Sequence, residues 1–163
     1  MKIRLIAILA AVCLPFTSFA QHKQFIQAEL LKTIKAKTAK TGDPVKARVV
    51  AAVVLPGGVT IPEGATLFGE VVAADPNSLG ISFAQVEVKG KKTPLSLSIR
   101  AAMVPDAMQN NVDGIAGQAG SVIGMPGVTL QVDESPQHAS KFVSNGKELQ
   151  LRQGLQLMLA APE

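Results

Sequence analysis

The 163-residue chain has no tryptophan, no tyrosine and a single cysteine, Cys13. Proteins that read sugars, single-stranded nucleic acid or proline-rich peptides lean on aromatic platforms, so these absences argue against all three and predict no nucleic-acid partner. The phenylalanines that fall in strand-like runs, Phe68, Phe83 and Phe142, read as core. Histidine is nearly as scarce, with only His22 and His138. After residue 20 no apolar run is long enough to cross a bilayer as a helix.

What is present starts at the N-terminus. Lys2 and Arg4 precede an almost unbroken apolar run over residues 5–16, and Ser18-Phe19-Ala20 sets small residues three and one before a cut ahead of Gln21. That is the layout of a secretory signal peptide. Residues 1–20 are expected to be cleaved, and residues 21–163 to form one domain that is periplasmic or associated with the outer envelope. Cys13 would leave with the signal. Val12 stands before it where a lipoprotein signal needs a small residue, so lipid attachment is not expected. The remaining chain then has no disulfide, no thiol nucleophile and no thiolate metal site.

The formal net charge of +4 is modest and falls further once Lys2 and Arg4 are set aside, but it is unevenly spread. Residues 23–48 hold Lys23, Lys32, Lys35, Lys37, Lys40, Lys46 and Arg48 against only Glu29 and Asp43. Such a stretch is either a solvated face or a contact surface for anionic lipid, polymer or a partner.

From Val45 onward the apolar residues alternate. Val45, Ala47, Val49, Ala51 and Val53 share one face of an expected strand, with Lys46 and Arg48 opposite. Turn chemistry follows at Pro56-Gly57-Gly58 and Pro62-Glu63-Gly64, and Gly69 marks a bend or close backbone approach within the next strand. Leu79, Ile81 and Phe83 share a face while Val86 and Val88 sit on the other, which predicts a β-bulge near Ala84-Gln85. Lys89-Gly90-Lys91-Lys92 reads as a basic hairpin tip, and residues 95–103 as a half-buried antiparallel strand. Residues 105–127 hold Gly114, Gly117, Gly120, Gly124 and Gly127 with weak periodicity, and are expected to be a surface loop that, beside the basic tip, is the first candidate for a binding edge. Phe142-Val143, Asn145-Gly146 and Leu149 to Leu151 predict a hairpin. Ile26, Leu30 and Ile34 fit one helical face, yet Leu30, Lys32 and Ile34 also alternate, and a strand from about Ile26 to Ile34 after a short helical or loose start is expected. The fold class expected is all-β, a small antiparallel barrel or sandwich of about eight strands. Val49, Val53, Leu67, Val71, Ile81, Phe83, Leu97, Ile99, Leu130, Leu149 and Leu157 are its expected core.

Chemistry has little to work with. His138 follows Asp133 and Glu134 and lies near Ser135, Ser140 and Ser144, but a triad needs a nucleophile, base and acid that converge in space. The same residues match no strong metal-ligand spacing. His22 would become the second residue after cleavage, where amine and imidazole bind copper weakly, yet Gln21 tends to cyclise and block that amine. The glycine-rich stretch lacks the Gly-Lys-Ser/Thr ending of a phosphate loop. No catalytic, cofactor-binding or metal-binding residue is assigned, and no enzymatic activity or cofactor is expected.

The order of features does resemble a family. Ala28-Glu29-Leu30-Leu31 with Ile34, Gly42-Asp43-Pro44-Val45-Lys46-Ala47-Arg48-Val49, Ile61-Pro62-Glu63-Gly64-Ala65-Thr66-Leu67-Phe68-Gly69, Leu79-Gly80-Ile81-Ser82-Phe83 and Pro94-Leu95 are similar to the C-terminal barrel of conjugal-transfer (TrbI-like) channel proteins. Gly124-Met125-Pro126-Gly127 and Gln153-Gly154-Leu155-Gln156-Leu157 echo that family's later turn and closing strand. The resemblance implies a β-barrel and an envelope protein partner in a type IV secretion setting. It does not extend to the family's membrane helix, proline-rich arm or amphipathic antenna helices. Three functional readings follow: an exported non-enzymatic barrel that binds or scaffolds in the cell envelope, a separate barrel subunit of an envelope-spanning secretion assembly, and a hydrolase or metal-dependent enzyme using His138.

Overall fold

The computed structural model describes residues 25–55, 57–106, 120–132 and 139–161. Apart from one turn of 3-10 helix at Pro105-Asp106, their regular structure is all strand. In chain order the strands are β1 (Ile26–Leu30), β2 (Ile34–Lys35), β3 (Pro44–Val49), β4 (Val53–Val54), β5 (Thr60–Ile61), β6 (Thr66–Asp75), β7 (Ser78–Val88), β8 (Lys91–Met103), β9 (Ser121–Ile123), β10 (Val128–Val132), β11 (Ser140–Ser144), β12 (Gln150–Leu151) and β13 (Gln156–Ala160). The long strands are those in which the sequence alternates. Along β3 exposed Pro44, Lys46 and Arg48 interleave with buried Val45, Ala47 and Val49, as a pleat with one face on a core requires.

Six strands close on themselves in the order β7-β6-β3-β1-β13-β8, with β7 and β8 paired to complete an antiparallel barrel. β7 is longer than that closure needs. Its second half pairs with β8 (Phe83 opposite Leu97, Val88 opposite Lys91), while its first half pairs with β11 (Leu79 opposite Phe142, Ile81 opposite Ser140). The β10–β11 hairpin thus continues the sheet where β7 and β8 part. The expected bulge is present. Phe68 faces Gln85 but Gly69 faces Phe83, so Ala84 is the extra residue on β7, and apolar side chains on either side of it reach the core from opposite phases. Gly69 sits against that bulge. A Cβ there would collide with the Ser82 carbonyl oxygen and come within 2.9 Å of Phe83 Cδ1, so the close approach read from the sequence is real.

One continuous cluster fills the barrel, led by fully buried Phe83, Phe142, Ile26, Leu30, Leu67 and Ile81. Six strands enclose only enough room for side chains, so the interior is a core and not a lumen. Ten of the eleven expected core residues are buried; Val53 is half-buried and packs on the cluster.

The structure differs from the sequence reading in four places. β3 ends at Val49, leaving Ala51 exposed, because the chain turns there into the short β4–β5 hairpin. β1 ends at Leu30, and Ile34 belongs to a separate β2. Asn145-Gly146 is a bend with Gly146 at φ 77°, but it does not join a hairpin: β11 pairs with β10 and β7, whereas Leu151 on β12 pairs with Ile34 on β2. Finally, the glycine-rich connection is not all loop, since Ser121–Ile123 form β9 in parallel register with Ala101 to Met103. Residues 107–119 of that connection, the expected signal peptide and Cys13 lie outside the described residues.

Candidate functional site

Of the side chains weighed for chemistry, only Ser140 and Ser144 lie among the described residues. His22, Asp133, Glu134, Ser135 and His138 lie outside the described residues. Ser140 and Ser144 fall on β11 and are buried. Ser140 Oγ accepts the Ile99 N–H at 2.8 Å and donates to the Ile99 carbonyl at 3.1 Å. One hydroxyl thereby satisfies both backbone groups of Ile99 on the edge of β8 that β7 has left, a structural duty that occupies its proton and one of its two lone pairs. Among the described residues no three of His, Cys, Asp and Glu come close enough to hold a metal. A shallow depression on the outer wall, lined by Gln27, Ala101, Met103, Gln156 and Met158, contains no titratable group.

The structure does assemble cations. Cross-strand register places Lys46 of β3 opposite Phe68 of β6, and Phe68 opposite Gln85 of β7. Lys92, at the start of β8, reaches back across β7. The Lys46 ammonium lies 5.1 Å and the Lys92 ammonium 4.4 Å from the Phe68 ring centroid. Phe68 is half-buried on the outer wall, so the core role expected of it is replaced by that of a platform for two lysines. The reason is alternation along β6, where Leu67 and Val71 point in and Phe68 takes the outward phase between them. Among the described residues neither lysine has a carboxylate at ion-pair distance, although Glu87 is the direct cross-strand neighbour of Lys92. Arg48, one pleat away, is paired with Glu29.

These contacts unite parts of two basic stretches that were separate in sequence. The tip itself is a two-residue turn with Lys89 at φ 51° and Gly90 at φ 79°, the left-handed pair a tight hairpin needs. Its expected neighbour, the glycine-rich connection, leaves the barrel at Pro105, the far end of β8. Thirteen residues of strand, roughly 40 Å, separate the two. The described ends of the connection, Pro105 and Gly120, therefore lie at the opposite end of β8 from the tip, and residues 107–119 between them lie outside the described residues. The signal that could have revealed the Phe68 platform was the i, i+2 spacing of Lys46 and Arg48 opposite an aromatic; the strand partner was not legible without register.

The described residues define a filled antiparallel barrel whose outer wall carries two lysines on an aromatic ring. No protein-family model matches the chain, and no curated protein matches it. Among solved structures the chain is similar to ComB10 of the Com type IV secretion system of Helicobacter pylori, with 12% identity, 85% of each chain covered and a TM-score of 0.43.

Proposed function

We propose that this protein is an exported, non-enzymatic β-barrel module that works by binding or scaffolding in the bacterial cell envelope. The observation that carries the reading is the division of the barrel. Its interior is packed solid with side chains, which leaves the exterior as the working surface, and that exterior presents lysines on an aromatic platform. The residues at the N-terminus supply the route out of the cytoplasm. A second reading, a separate barrel subunit of an envelope-spanning secretion assembly, is favoured by the run of strand-and-turn motifs from Gly42 to Gly69 that resembles the conjugal-transfer barrels.

The test is affinity isolation of the tagged protein from solubilised envelope fractions. The expected result is a protein partner that co-purifies in fixed proportion and is lost in the Lys46→Glu/Lys92→Glu variant. His138→Ala is expected to leave folding and partner recovery unchanged. A protein that emerges alone, with a hydrolytic activity that His138→Ala abolishes, would overturn the reading in favour of an enzyme.

A further inference from the structure

The β2–β12 pairing joins two chain segments that are far apart in sequence and makes of them one end of the barrel. Ile34 pairs with Leu151 and Lys35 with Gln150. The Ala36 N–H donates to the Leu149 carbonyl at 2.9 Å, the Gly154 N–H to the Leu30 carbonyl at 2.8 Å and the Gln153 N–H to Thr33 Oγ1 at 3.0 Å. Leu149, Leu151 and Ala36 are buried beneath, so the element is fixed to the core. Its outward cargo is almost all of one sign. Residues 31–40 and 145–154 expose Lys32, Lys35, Lys37, Lys40, Lys147 and Arg152, against Glu148 alone. Among the described residues none of the six has a carboxylate at ion-pair distance. Of the flanking acids, the Asp43 carboxylate accepts the Lys40 backbone N–H at 2.8 Å, Asp75 accepts the Ser78 hydroxyl at 2.9 Å, and Asp106 is exposed.

We propose that this lysine-dominated end docks on the surface of an anionic phospholipid bilayer. Holding several ammonium groups on a rigid element costs electrostatic self-repulsion, and a sheet of negative headgroups relieves it. The chemistry favours headgroups over a protein partner. Five of the six cations are lysine, a compact point charge rather than the planar fork that recognises one carboxylate bidentately. The exposed large apolar side chains among the described residues, Val50, Val54 and Val59, lie on and beside the β4–β5 hairpin at the other end, so the described residues of this end supply no apolar anchor of the kind a protein hot spot uses. Residues 31–40 and 145–154 also hold no aromatic side chain to stack on a nucleic acid strand. The inference deepens the envelope reading and rests on it for the presence of a membrane.

The test is co-sedimentation of the purified full-length secreted protein with vesicles of phosphatidylglycerol mixed into phosphatidylcholine, and with phosphatidylcholine alone. The expected result is binding to the mixed vesicles only, weakened by salt. Each lysine near the surface contributes about fivefold in partition, so Lys35→Gln should lower it about fivefold and Lys32→Gln/Lys35→Gln/Lys37→Gln/Lys40→Gln should abolish it. Lys46→Gln/Lys92→Gln, on the barrel flank, should leave it unchanged. The substituted positions are exposed, and an unshifted thermal midpoint confirms that the variants fold. If the fourfold variant unfolds, the graded series of single variants decides instead. Equal binding to neutral vesicles, no vesicle binding, equal loss in the flank variant, or retention of short duplex DNA without vesicle binding would overturn the proposal. Because the assay uses purified protein, its failure leaves the co-purification test of the envelope role standing.

Discussion

Gly69 and Ser140 each carry one joint of the barrel. Gly69 has an ordinary backbone conformation, and what it needs is space: a methyl group there meets the Ser82 carbonyl and the Phe83 ring. Gly69→Ala is expected to destabilise the fold by about 1–3 kcal/mol, the range for forcing atoms into a filled site. Gly57, which has nothing within 4 Å of a built Cβ, tests the contrast differently, since its φ of 90° makes Gly57→Ala costly through backbone strain alone. Removing the Ser140 hydroxyl leaves the Ile99 N–H and carbonyl without their partner in a dry environment. Ser140→Ala should cost about 1–3 kcal/mol in urea unfolding, and an unchanged midpoint would show that water or a shifted strand fills the gap. Gly69 was legible in the sequence because a glycine inside an alternating strand points to a bend or to a neighbour too close for a side chain. Ser140 was not, because its partner lies across the barrel and a serine near a histidine suggests chemistry before it suggests carpentry.

At the scale of the element, alternation identified which strands exist and which way they face, and it found the bulge at Ala84 from a change of phase alone. What it did not find was pairing. Asn145-Gly146 between apolar runs predicts a hairpin, yet Leu149 N–H donates to the Pro76 carbonyl and the chain passes on to β2, because the open edges of β7 and β10 take β11 first. The short, glycine-flanked β9 gave too little periodicity to be read as a strand, and parallel pairing with β8 is what orders it. The β7–β8 turn offers an element-level prediction. Lys89 occupies a left-handed conformation that costs a non-glycine residue about 1–2 kcal/mol, and asparagine tolerates it better. Lys89→Asn should raise the thermal midpoint while retaining the barrel. A lowered midpoint would mean that the lysine side chain contributes more than its backbone costs.

For the molecule as a whole, closure explains why so small a domain can do without a disulfide. Pairing β7 with β8 removes the open sheet edges that the six-strand order would otherwise leave, and it surrounds one core on all sides. Leu157→Ala, fully buried on the last strand β13, should cost about 2–5 kcal/mol and loosen the whole barrel cooperatively. The candidate site was half legible. Both basic stretches stood out in the sequence, but the Phe68 platform and the β2–β12 end exist only because register brings distant residues together. The envelope role depends most on export, and intact-mass analysis of the protein recovered from fractionated cells tests that claim directly. The account predicts a chain beginning at Gln21 outside the cytoplasm. A chain that keeps residues before Gln21 and stays in the cytoplasm, or one carrying a diacylglyceryl group on Cys13, would contradict it.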